Sequence, residues 1–215
     1  MPVTTIVGID LSGPSNAADT CVVVARDRGA RPVFVRSLQS ATDEELLAFV
    51  GRLRSEHLVV GLDAPLSYQP GGGLRDRDRA LQRLLTRHGM RPGSVMPPTF
   101  NRMAYLTLRG MAVARLLSTL AHPSLQVIEV HPGAALCLAG APIEAVVGFK
   151  KHSRHRAAIH RWLSAGALRS VPSGPMSDHF IAACGAVLAA WRWSRGASLW
   201  QAPAVPPFHP YPFAA

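Results

Sequence analysis

Lysine is almost missing from this 215-residue chain: of its 23 basic residues only Lys150 and Lys151 are lysine, and the other 21 are arginine. Acids are scarce as well, 13 against those 23 bases, which leaves a formal net charge of +10. Arginine is the side chain best suited to bidentate contact with phosphate. The excess fits either a nucleic-acid-binding surface or an arginine-rich coding bias. Cysteine is limited to Cys21, Cys137 and Cys184, odd in number and widely spaced. That excludes a Cys-x-x-Cys zinc site and a disulfide framework, and it suits buried thiols in a reducing cytoplasm. Long apolar runs are lacking: the stretch Ile181 to Trp191 has 11 residues and is too short to cross a bilayer. The start, Met1-Pro2-Val3-Thr4-Thr5, has no basic cluster, and Asp10 interrupts the apolar stretch behind it, so no secretory signal is read. At 48% hydrophobic and 17% charged, the chain is too apolar to stay disordered.

What is present reads as one α/β domain over residues 1–200, followed by a tail over 201–215 with five prolines. β-Branched runs predict strands at Thr4–Asp10, Cys21–Ala25 and Val33–Leu38, the last two joined as a hairpin through Asp27–Ala30. Thr42 and Glu45 form a capping box before a helix that runs to about Glu56. Leu58–Asp63 and Leu125–Val130 predict a fourth and a fifth strand, the latter stopped by His131-Pro132. Helices are expected over 74–88 and 101–120, near Ile143, over 154–165 and over 178–194, the last capped by Ser177. Right-handed parallel crossovers then arrange a five-stranded mixed sheet in the order 3-2-1-4-5, flanked by helices.

Four of the 13 acids occupy unusual places. Asp10, Asp63 and Glu129 each end an apolar strand, and Asp178 opens an apolar helix, whose positive end favours an anion. In the expected sheet the three strand-end acids emerge side by side, with Asp178 closing the group. Clustered carboxylates repel, so they either hold protons or hold a cation. Magnesium or manganese, bound by carboxylates together with substrate phosphate, fits both the cluster and the positive charge. A strand-end acid is equally at home as a turn-former or cap.

His131 lies two residues past Glu129, on the same strand face, and suits either positioning a water or phosphate, or simple burial before a strand-ending proline. His179 beside Asp178 is similarly open. Arg75, Arg79, Arg83 and Arg87 recur every four residues as one helix ridge, which suits a phosphate backbone or a solvated face. Lys150, Lys151, His152, Arg154, Arg156 and Arg161 form a second basic patch. Gly71-Gly72-Gly73 lacks the ending of a P-loop, and the four tryptophans suit core packing.

The pieces Gly8-Ile9-Asp10, Gly61 to Ser67 (Gly-Leu-Asp-Ala-Pro-Leu-Ser), Arg75-x-x-Asp78, Glu129-Val130-His131-Pro132, Lys150/Lys151 with Arg156, and Ser177-Asp178-His179 occur in an order that resembles the RNase H-like superfamily. More narrowly, they resemble domain of unknown function 429 (DUF429), described as predicted RNase H-like nucleases. The resemblance implies an RNase H-like fold and a divalent-metal site at Asp10, Asp63, Glu129 and Asp178. Lys150 or Lys151 with Arg156 matches positions of that family, which suits an anion contact. The family pattern carries a further acid four residues after Asp178, where this chain has Ala182.

The expectation is therefore a cytoplasmic, Mg2+- or Mn2+-dependent phosphodiester hydrolase, a nuclease acting on DNA or RNA. Asp10, Asp63, Glu129, Asp178 and His131 would serve catalysis, and Arg75, Lys150, Lys151 and Arg156 the substrate. Two alternatives stand beside it. One is a non-catalytic nucleic-acid-binding module, favoured by Ala182. The other is a nucleotide-dependent phosphotransferase of the sugar kinase and actin type, against which no later glycine-rich adenosine motif is found.

Overall fold

The structure, a computed structural model, describes residues 4–215. Residues 1–3, part of the segment that reads as lacking a secretory signal, lie outside the described residues. Strands β1 (Thr4–Asp10), β2 (Cys21–Asp27) and β3 (Pro32–Gln39) form an antiparallel meander. Helix α1 (Asp43–Gly51) starts at the expected capping box, with Thr42 and Glu45 bonding each other's backbone reciprocally. It leads to β4 (His57–Asp63), which lies parallel to β1. Helices α2 (Asp76–Arg87) and α3 (Arg102–Ser118) then cross over to β5 (Leu125–Val130), parallel to β4. Helices α4 (Pro132–Leu138), α5 (Ile143–Gly148), α6 (Ser153–Trp162) and α7 (Asp178–Ser194) follow, with Ser177 accepting from Phe180 N–H at the α7 cap.

The sheet has seven strands, not five, in the order β3-β2-β1-β4-β5-β7-β6. The two additions come from the tail: β6 (Gln201–Ala202) and β7 (Phe213–Ala214), the latter parallel to β5. Two-residue strands carry no readable alternation, and five prolines hide them. Arg77 ties the tail down by donating to the carbonyls of Tyr211 and Pro203. Helix α4 is a further addition. His131-Pro132 reads as a strand stop, yet proline at the first helical position is equally a start.

Two apolar layers sandwich the sheet. Ile6, Val59, Ile128 and Val130 face α7 on one side, while Val7, Ile9, Val60 and Leu62 face α1 and α3 on the other. Glycines let α7 lie directly on the sheet. Gly8 and Gly61 are paired neighbours on β1 and β4. A Cβ on Gly8 would sit 2.2 Å from the Ala183 carbonyl oxygen, and one on Gly61 2.9 Å from that of Ala186. The facing stripe of α7 is small, Ala182, Ala183, Ala186 and Ala190, all buried. The start of α7 is thereby held at the carboxyl ends of β1 and β4. Among the described residues, no helix is long and apolar enough to cross a membrane.

Candidate active site

β1 and β4 run in register, so Asp10 and Asp63 end neighbouring strands as direct partners on the face that carries α7. Asp10 is buried, and the His179 imidazole donates from Nδ1 to its Oδ2 at 2.7 Å. That bond, together with the Asp10 charge, raises the His179 pKa above its ordinary value. Asp63 lies within electrostatic reach of Asp10. Burial, and then the Asp10 charge, push its pKa well above the usual carboxylate range, while Lys150 pulls in the other direction. Two carboxyls that cannot comfortably both ionise share a proton or bind a cation. The chain after Asp10 is pinned as well. Buried Arg109 donates to the Ser12 carbonyl at 2.8 Å and to Thr20 Oγ1 at 3.0 Å, and it pairs with Asp43 at 2.7 Å.

Glu129 does not join this pair. β5 sits one residue out of step, so Leu62 rather than Asp63 is the partner of Glu129. Its side chain therefore leaves the sheet on the opposite face, where Arg75 meets it with both terminal nitrogens, one at 2.8 Å. Glu129 Oε2 also accepts from Leu66 N–H at 3.0 Å. Arg75 is only 1% exposed and is held further by Asp78, at 2.6 and 2.9 Å, and by Ser67 Oγ at 2.9 Å. Burial alone would lower the Arg75 pKa, but hydrogen bonds to Glu129 and Asp78 outweigh it and keep the group charged. Arg75, expected to meet substrate, is thus one half of a structural ion-pair network joining α2, β5 and the loop after β4.

The sequence profile of DUF429, described as a protein of unknown function, matches residues 8–206. The chain belongs to the DUF429 family. No curated protein and no solved structure is significantly similar to it.

The other residues singled out in this DUF429 chain lie as follows. Both nitrogens of His131 are used: Nδ1 accepts from Ala134 N–H at 3.0 Å, capping α4, so Nε2 carries the proton and donates to the Ser94 carbonyl at 2.8 Å. Burial lowers its pKa, which leaves it neutral. It positions α4 against the loop around Ser94. Asp178 opens α7 beside His179 and adds to the negative charge that raises the pKa of that imidazole. Arg156 is half-buried and donates to the Phe149 carbonyl, whereas Lys150 and Lys151 are exposed. Arg79, Arg83 and Arg87 lie on the solvent side of α2.

A cavity of about 600 Å3 opens against Asp63, with Lys150, Lys151 and Arg91 in its wall and Ala182 among its lining residues. Among the described residues, no three His, Cys, Asp or Glu side chains are grouped to hold a metal ion. The available donor set is the Asp10–Asp63 pair. Two carboxylates suit one magnesium ion, which keeps several waters and takes further oxygens from a phosphate. They do not suit a second ion, because Glu129 is neutralised by Arg75 and Ala182 has no donor. His179, Asp78 and Arg91 emerge as site or support residues that sequence reasoning underweights. Only the Arg-x-x-Asp spacing and the position of His179 after the α7 cap hint at two of them.

Proposed function

We propose that this chain is an RNase H-like, divalent-metal-dependent phosphodiester hydrolase, a nuclease in the broad sense, with Asp10 and Asp63 as its metal ligands. One observation carries the reading: two carboxyls end adjacent parallel strands in register, Asp63 with its pKa pushed up by burial and then by the Asp10 charge, beside a cavity whose wall includes Lys150, Lys151 and Arg91. The sheet order β3-β2-β1-β4-β5 and the helix laid across β1 and β4 support the fold assignment. One Mg2+ or Mn2+, when bound, supplies positive charge against the charge developing on the phosphoryl group.

The chain's own residues do the rest. Asp10, oriented by His179, and Asp63 in its ionised form would hold the ion. Lys150 and Lys151 neutralise the phosphate, and Lys150 is already within electrostatic reach of Asp63. A water oxygen bonds to phosphorus and loses one proton to solvent as the ester P–O bond breaks, and the departing oxygen takes a proton from solvent. Glu129 and His131 hold the loops around the site and touch neither the ion nor the reacting atoms. DNA or RNA is the proposed partner class, and the three buried free thiols support a cytoplasmic setting.

A specific observation favours a second reading, a non-catalytic binding module: Ala182 leaves the cavity wall one acid short of the family pattern. The experiment is incubation of the protein with labelled single- and double-stranded DNA, RNA and RNA–DNA hybrid, each with magnesium, manganese or chelator. Metal-dependent cleavage that Asp10→Asn abolishes supports the hydrolase. Binding without turnover under any metal supports the module.

A further inference from the structure

The cavity against Asp63 is out of proportion to a backbone-tracking groove. Its volume of about 600 Å3 falls within the roughly 300–1,000 Å3 range of pockets that bury small ligands. Met90, Met96, Met103, Val95, Leu106 and Phe149 supply apolar wall. The three methionines of the lining offer polarizable sulfur, which packs favourably against flat aromatic rings and adapts to their outline. The lining also carries charge: Asp63, Lys150, Lys151 and Arg91, besides the Arg75–Asp78–Glu129 network. A purely phosphate-binding groove would be cationic along its length, and a purely apolar ligand would not need these cations beside a carboxylate.

We infer that the cavity receives a single nucleotide unit, its base between the methionines and its phosphate at Asp63, so that the site acts on small phosphodiesters or strand ends rather than on internal bonds of a duplex. A stacked and paired base cannot enter a pocket of this kind without being flipped out. This deepens the hydrolase reading and rests on it only for the chemistry, not for the binding.

Two exposed wall residues, Met96 at 42% and Val147 at 43%, allow the mouth to be filled without disturbing the core. Calorimetric titration with calcium present would compare adenosine 5′-monophosphate, ribose 5-phosphate and a 20-base-pair duplex, for wild type, M96W and V147W. Adenosine 5′-monophosphate is expected to bind at least tenfold more tightly than ribose 5-phosphate, and each tryptophan to weaken it at least tenfold while the melting temperature holds. Ribose 5-phosphate binding equally well, or tryptophan variants binding as wild type does, would overturn the inference, as would no binding at all. Cleavage of thymidine 5′-(p-nitrophenyl phosphate) by wild type and Asp63→Asn separates the two claims. Base-dependent binding without any Asp63-dependent cleavage sinks the hydrolase and leaves the cavity inference standing. Asp63-dependent cutting inside a duplex, unaffected by V147W, does the reverse.

Discussion

Gly8→Ala tests whether the site depends on α7 lying against bare β-strand backbone. A methyl there would stand 2.2 Å from the Ala183 carbonyl oxygen and 2.5 Å from the Val187 nitrogen. The first distance is about 1.2 Å short of the 3.4 Å at which ordinary contact begins. Both atoms are helix backbone, so no rotamer change relieves the clash, and the helix must lift off the sheet. Overpacking of this kind costs roughly 1–3 kcal/mol, and a backbone clash belongs at the upper end. For a chain of this size, about 3 kcal/mol corresponds to a melting temperature lowered by roughly 6–12 °C. Lifting α7 by about 1 Å also withdraws His179 from Asp10, and misplacement on that scale can cost about a hundredfold in rate. Thermal melting followed by circular dichroism gives the first number, and the Gly13→Ala variant is the control. Gly13 has φ −64° and no heavy atom within 4 Å of the position a methyl would take, so alanine there should be neutral or slightly stabilising. A Gly8→Ala melting temperature within about 2 °C of wild type would refute the packing argument.

Arg75→Met leaves Glu129 and Asp78 buried without their partner, and urea denaturation should show a loss of about 3–5 kcal/mol; a loss below about 1 kcal/mol would mean the network is not structural. Asp63→Asn should raise stability while abolishing cleavage. The raised Asp63 pKa means that, between the unfolded value near 3.8 and the folded one, the native state holds a proton the unfolded chain has lost. Wild-type stability therefore falls as pH rises through that window, and the asparagine substitution removes the fall. Melting curves from pH 4 to 8 should show the variant's advantage growing with pH, and a constant or shrinking gap would contradict the assignment. Magnesium at pH 8 should stabilise wild type and leave Asp63→Asn unchanged, and equal shifts in both would place the ion elsewhere.

Much of the frame is legible because it is written in local pattern. The five main strands and their order follow from β-branched runs and crossover handedness, and the Thr42 and Ser177 caps follow from their own side chains. The Asp10–Asp63 juxtaposition is readable for the same reason, since both acids end strands that the topology makes adjacent and parallel. Glu129 looks equivalent and is not. A one-residue offset between β4 and β5 moves a side chain to the other face, and nothing along β5 signals that offset. Its partner Arg75 is 54 positions away, so its burial cannot be read from a helix ridge that otherwise faces solvent. The tail strands escape because their pairing depends on Arg77 and on the free edge of β5, not on any alternation of their own.

Titration with Mn2+ in a calorimeter, at pH 8 and without substrate, tests the central claim most directly. A single ion held by Asp10 and Asp63 predicts about one equivalent bound by wild type and none by Asp10→Asn or Asp63→Asn. Retained binding in Asp63→Asn, or two equivalents in wild type, would contradict a site built on that pair alone.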